Sequence, residues 1–122
     1  MKFLVIMSET DHYDRWAELT DADRADVFAA FERYEAAVAE RGHKVTGGAE
    51  LTHSRTARSL RRTGDEITVT DGPYAETVEQ LSGFYLVETD DLDGLVEVAK
   101  ILVDAGGGIE IRACVDHSGD AS

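Results

Sequence analysis

The sequence predicts an α+β fold, a ferredoxin-like sandwich made of two βαβ halves, on three observations. Short continuous apolar runs stand at the start of the chain and again after residue 83, as buried strands do. Each is followed by a segment with apolar residues at helical spacing, and each of those by another strand-like segment. Between the halves lies a pair of short alternating runs around a Gly-Asp turn, the pattern of a β-hairpin.

In chain order, Phe3 to Met7 is apolar throughout and too short for a helix with its own caps, so it reads as a strand buried on both faces. Thr20 caps a helix running to about Arg41, with Asp23 in a capping-box position and Gly42 ending it. Val27, Phe28, Phe31, Tyr34 and Val38 form its stripe, which is expected to face the core. The region Lys44 to Arg62 holds a loop-like Gly47-Gly48 and a strand from Ala57 to Arg62. After the turn at Thr63-Gly64-Asp65, Glu66 to Thr70 sets Ile67 and Val69 on one face and Thr68 and Thr70 on the other.

Gly83 to Thr89 is the next strand, with Phe84 and Leu86 on one face and Tyr85 and Val87 on the other. Asp90 or Asp91 caps a second helix whose stripe is Leu92, Leu95, Val96, Ala99, Leu102 and Val103, closed by Gly106-Gly107-Gly108. Ile109 to Val115 is the last strand. A single domain over residues 1–116 is expected, with 117–122 a polar, frayed tail. Two helices cover one face of such a sheet. The apolar residues of the other face need a cover, and a homodimer packing sheet to sheet supplies it; the hairpin folding back is the alternative.

The net charge of −13 argues against nucleic-acid backbones and anionic membrane surfaces as partners, since both need clustered cations. The lone cysteine, Cys114, has no internal disulfide partner, and the N-terminal run has neither a cleavage site nor the length of a membrane span, which points to the cytoplasm. Cys114 lies in an apolar alternation and reads as a packed side chain, not a nucleophile. No phosphate-binding Gly-x-x-x-x-Gly-Lys run and no metal-ligand spacing is present, so no cofactor and no metal is expected.

Chemistry concentrates in Thr70-Asp71-Gly72-Pro73-Tyr74-Ala75-Glu76-Thr77-Val78-Glu79-Gln80-Leu81, which contains the only proline. Pro73 fixes its own φ and steers Gly72 away from the helical region, so the loop is expected to be rigid. Glu76 and Glu79, at i and i+3 of a helical turn, would repel one another, and one carboxyl would take up a proton more readily, as general acid or base work requires. The structural alternative has Asp71 capping the turn and both glutamates in water.

This run, followed by Gly83-Phe84-Tyr85 and preceded by Arg41-Gly42 and Gly47-Gly48 with Glu50-Leu51, resembles the YCII-related family, in particular its subgroup with an Asp-Gly-Pro-Phe motif. Here Tyr74 takes the aromatic place. The resemblance implies a ferredoxin-like dimeric α/β barrel, and related members that act as lyases on chlorinated hydroquinone-type substrates. Many members carry a lysine where this chain has Val78, so no role of that lysine transfers. The broader family's histidine and aspartate pair implies Asp71 as the aspartate, with His53 the preferred histidine and His12 its competitor. His43 follows a helix-ending glycine, where a role at the helix dipole suffices, and His117 falls in the tail.

The expected function is therefore a cofactor-independent enzyme of lyase or isomerase type, with a non-catalytic homodimeric ligand-binding or regulatory module as the alternative. Asp71, His53, Glu76 and Glu79 are the expected catalytic residues. Tyr74 is expected to contact an apolar substrate. Arg55, with Arg58, Arg61 and Arg62, forms a basic island that would hold an anionic substrate, or else pair with cross-strand acids such as Glu66. Trp16 is expected to pack before the first helix or to line a pocket entrance.

Overall fold

A computed structural model describes residues 1–9, 16–73 and 80–117 of the chain. The elements are β1 (Lys2–Glu9), α1 (Asp21–Glu40), β2 (Lys44–Glu50), a 3-10 turn (Ser54–Thr56), β3 (Arg58–Thr63), β4 (Glu66–Asp71), β5 (Gln80–Glu88), α2 (Leu92–Val103) and β6 (Gly108–Ala113). Four strands make an antiparallel sheet in the order β2-β5-β1-β6, and among the described residues β3 and β4 pair only with each other. With the hairpin set aside, this is two βαβ halves whose central strands are β1 and β5, an α+β arrangement compatible with a ferredoxin-like fold. Among the described residues no helix is long and apolar enough to cross a membrane.

Both helices lie on one face of the sheet. Phe3 and Val5 of β1 and Val87 of β5 meet Tyr34 and Val38 of α1 and Leu95, Val98, Ala99 and Leu102 of α2 in one buried cluster, with Ile109 and Ile111 of β6 at its edge. The registers Phe3↔Val87 and Phe3↔Ala113 set this face. They leave Leu4, Ile6, Phe84 and Leu86 on the opposite face, where all four are half-buried and, among the described residues, lie away from α1 and α2.

The first helix starts as its sequence dictates. Thr20 Oγ1 accepts from Asp23 N at 3.1 Å and Thr20 N donates to Asp23 Oδ2 at 3.4 Å, a reciprocal capping box. Its side chains divide differently from the expected single stripe. Ala30, Tyr34 and Val38 are buried, whereas Phe28 is 58 % exposed. Residues 30, 34 and 38 form one row, which points into the core, and 27, 31 and 35 the row beside it, which reaches the core's edge through Phe31. In α2 the expected stripe is likewise corrected. Leu92, Val96 and Val103 are exposed and Val98 is buried instead, because Leu95, Val98, Ala99 and Leu102 are the positions that meet the sheet; the cap falls at Asp91, whose Oδ1 accepts from Gly94 N at 2.9 Å.

Gly47 and Gly48 are not a loop. They lie within β2, where the register to β5 shifts between Val45 and Gly47, a bulge. β5 begins three residues before the expected strand, and β6 ends at Ala113, leaving Cys114 half-buried and Val115 exposed. His43 is corrected from a dipole role: it is buried, its Nδ1 lies 2.7 Å from Thr89 Oγ1, and Thr89 Oγ1 also accepts from Asp91 N.

Candidate functional site

A cleft of about 510 Å³ opens between α1 and the ends of β1, β2 and β5, closed at one end by Leu102, Ala105 and Gly106. Its roof is the second row of α1, Val27, Phe31 and Glu35, with Phe28 beside it. The exposure of Phe28 thus has a local reason. The ring meets Trp16 edge-on, with centroids 5.4 Å apart and planes at 80°. Trp16 is held from another side by Arg24, whose guanidinium lies 5.5 Å from the ring centroid and donates from Nη2 to Trp16 O at 2.9 Å.

The floor is Met7, Gly48, Ala49, Glu50, Ser82 and Tyr85. Gly48 lets β2 approach β5 closely: its φ is +155°, and a Cβ there would stand 2.6 Å from Phe84 O and 3.2 Å from Tyr85 Cδ1. Ser82 Oγ donates to Met7 O at 3.3 Å, tying the two central strands at the cleft's base.

Two polar groups face one another across this apolar surface. Burial pushes the Tyr85 phenol up to about 12, and the charge and hydrogen bonding of the Glu35 carboxylate add to the rise by favouring the neutral hydroxyl. Beneath it Tyr34 packs with its ring 5.1 Å from Tyr85, and its hydroxyl, buried and without a partner among the described residues, is raised further by burial and by both neighbours. Tyr85 is therefore an uncharged hydrogen-bond donor at neutral pH, beside an exposed carboxylate. A carboxylate beside a neutral phenol has the groups needed to accept and return a proton, and the walls around the pair are aromatic.

The residues expected from the sequence lie around the hairpin. Asp71 ends β4 and faces Arg58, with Oδ1 3.8 Å from Nε and the two side chains 90 % and 77 % exposed. Asp71 is thus the cross-strand acid in the basic island, where Glu66 was expected; Glu66 stands opposite Thr63. Gly72 N donates to Ala57 O at 2.7 Å, which brings the end of β4 against the residues following the 3-10 turn. His53 caps that turn, its Nδ1 accepting from Arg55 N at 3.0 Å, and Arg55 is exposed. Tyr74, Glu76, Glu79 and His12 lie outside the described residues. The segment after Asp71 re-enters the sheet at Gln80, and Ser82 two residues on lines the cleft, as does Glu50 just before the loop of His53.

Glu35, Tyr85 and Phe28 escaped the sequence reading. A signal existed for Glu35 alone, in Val27, Phe31 and Glu35 at intervals of four, a second row hidden when every apolar residue of the helix is assigned to the core. Among the described residues no three His, Cys, Asp or Glu side chains gather as a metal site.

The model of the YCII-related domain matches residues 1–116. The chain belongs to the YCII-related family. A curated protein similar to this YCII-related chain is an uncharacterized protein, R00369, of Rhizobium meliloti (strain 1021), 42 % identical over 67 residues. That stretch is 52 % of the chain and 54 % of the relative, so the chain spans about half the length of the curated relative it matches. The match across residues 1–116 takes in both walls of the cleft as well as the hairpin.

Proposed function

We propose that this YCII-related protein is a homodimeric, cofactor-independent enzyme that binds a small, largely apolar molecule in the cleft beneath α1 and performs proton transfer on it, as a lyase or isomerase does. The observation that carries the reading is the pairing of Glu35 with the Tyr85 hydroxyl inside an aromatic-walled cleft. Glu35 removes a proton from the bound molecule, and Tyr85, neutral, donates a hydrogen bond to the negative charge that develops. The homodimer reading, with its dimeric α/β barrel, is supported by Leu4, Ile6, Phe84 and Leu86 on the sheet face away from α1 and α2. Membership of the Asp-Gly-Pro-aromatic subgroup rests on Asp71-Gly72-Pro73-Tyr74, and cytoplasmic placement on the single cysteine.

A second reading keeps the chemistry at the hairpin base, with Asp71, His53, Glu76 and Glu79 catalytic and Tyr74 and Arg55 contacting substrate. The bond from Gly72 to Ala57 favours it, since it holds the end of β4 near the turn of His53.

Trp16 is the only tryptophan and lines the cleft, so its fluorescence reports on occupancy directly. A panel of small aromatic and alicyclic compounds is titrated against the wild type, Phe28→Ser, Glu35→Gln and Asp71→Asn, and exchange of ligand C–H for deuterium is followed by NMR. The expected result is a fluorescence change that Phe28→Ser weakens, with exchange lost in Glu35→Gln and kept in Asp71→Asn. The opposite dependence assigns the chemistry to the hairpin base. Binding without exchange in the wild type leaves a ligand-binding module and overturns the enzyme reading.

A further inference from the structure

The hairpin of β3 and β4 stands apart from the rest of the fold. It forms its own two-stranded sheet, and all six residues of β4 are exposed. Its register puts Arg58 opposite Asp71, Leu60 opposite Val69 and Arg62 opposite Ile67, so Leu60, Val69 and Ile67 share one face with Arg62 and the Arg58–Asp71 pair, while Ser59, Thr70, Arg61 and Thr68 share the other. On the apolar face Leu60 is 62 %, Ile67 59 % and Val69 57 % exposed. A two-stranded hairpin by itself is at best marginally stable in water, and one that presents three large aliphatic side chains to solvent is missing a cover. The hairpin does not fold back to bury that face on its own sheet, which was the alternative cover for the open face.

Charge identifies the occupant. The chain carries −13, and two copies approaching through most of their surface repel one another. The hairpin is the exception: Arg58, Arg61 and Arg62 match Asp65, Glu66 and Asp71 within it, so it is locally neutral. A neutral, apolar, unpaired ribbon on an acidic protein is the surface through which a second acidic copy associates at least electrostatic cost.

We infer that the β3–β4 hairpin is a clasp that lays its Leu60–Val69–Ile67 face on a second copy of this chain and so completes the dimer begun by the open sheet faces. A two-fold arrangement uses the clasp twice, burying six large aliphatic side chains from the two arms. The inference rests on the homodimer reading and adds to it a part of the chain that the sheet-to-sheet contact alone does not need.

The test is sedimentation over a dilution series of the wild type, Leu60→Glu, Val69→Glu and, on the opposite hairpin face, Thr68→Glu, with circular dichroism to confirm folding. The wild type and Thr68→Glu are expected to be dimers of equal strength. Leu60→Glu and Val69→Glu are expected to raise the dimer dissociation constant by about a hundredfold or more, because each substitution acts twice across the axis. If both remain dimers as tight as the wild type, the clasp is overturned and the homodimer reading stands. If the wild type is a monomer throughout, both fall. Should the glutamate variants not fold, hydrogen exchange of the wild-type hairpin amides decides: protection that is lost on dilution below the dissociation constant supports the clasp, and rates unchanged by dilution overturn it.

Discussion

Replacing Gly48 by alanine tests the close approach of β2 to β5 on which the cleft floor depends. The added Cβ would stand 2.6 Å from Phe84 O and 3.2 Å from Tyr85 Cα. Both are backbone atoms of the strand that Gly48 and Ala49 pair with, opposite Tyr85 and Phe84, so neither moves without displacing the ladder. Overpacking of this kind costs about 1–3 kcal/mol. A non-glycine residue at φ +155° adds about 1–3 kcal/mol of backbone strain. The two overlap, because one shift of β2 relieves part of each, and a loss of about 3 kcal/mol is expected. Urea unfolding measures it as a lower midpoint with unchanged slope, and in a scan the midpoint falls by roughly 10 °C for a domain of this size. Gly64→Ala is the control. Gly64 has φ +62° in the hairpin turn with nothing within 4 Å of a built Cβ, so it isolates backbone strain and is expected to cost about 1 kcal/mol. If Gly48→Ala costs no more than Gly64→Ala, crowding against β5 is not what selects glycine there, and the account of the cleft floor is wrong.

Thr20→Ala removes the side-chain half of the capping box and is expected to cost about 1 kcal/mol by urea unfolding, since only Asp23 N loses its partner. Asp71→Asn is expected to change stability by less than about 0.5 kcal/mol, because the Arg58–Asp71 pair is long and solvated; a loss above about 1 kcal/mol would make Asp71 a structural acceptor and weaken the second functional reading. Glu35→Gln is expected to lower the Tyr85 pKa from about 12 while leaving it above 10, since burial is the larger cause of the rise; ultraviolet titration of the phenolate measures this, and an unchanged value would separate the two groups. Tyr34 and Tyr85 both hold their protons more tightly when folded than the ordinary phenol value of 10.0, so the stability they support is intact below pH 10 and is lost as pH rises through the folded values. Denaturation midpoints at stepped alkaline pH check it, and a midpoint flat to pH 12 would contradict the burial of the two phenols.

The elements were legible in the sequence wherever local signals and burial agree. Thr20 with Asp23, the Asp91 cap and the Thr63-Gly64-Asp65 turn are local chemistry, and each lies at the boundary its residues imply. Apolar residues told less about where they point. Phe31 is as apolar as Tyr34, yet one lines a cleft and the other is fully buried, because helix rows 27-31-35 and 30-34-38 are adjacent and only the crossing of α1 over the sheet decides between them. Gly47-Gly48 read as a loop because glycine weakens a strand, and its value here appears only when β5 lies alongside. The Glu35–Tyr85 pair joins two residues 50 positions apart, and that proximity comes from the packing of α1 on β5, which no local pattern encodes.

The apolar surface that the single chain leaves open is of two kinds, and their shapes call for different occupants. The cleft is concave, and Phe28 there already leans on Trp16, so the remaining gain comes from filling it with a molecule small enough to reach Glu35 and Tyr85. The hairpin face is a two-stranded ribbon on which Arg62 and the Arg58–Asp71 pair border Leu60, Ile67 and Val69; burying those three there is worth about 1.5–3 kcal/mol for each side chain fully covered. A small molecule on a flat ribbon captures little of that, and a protein surface captures most of it. The two sites are therefore separable in experiment. A glutamate at position 60 or 69 is expected to weaken association and leave Trp16 fluorescence responsive to ligand, and Phe28→Ser the reverse. Should either substitution abolish both responses, the cleft and the clasp would be parts of one site shared between two copies.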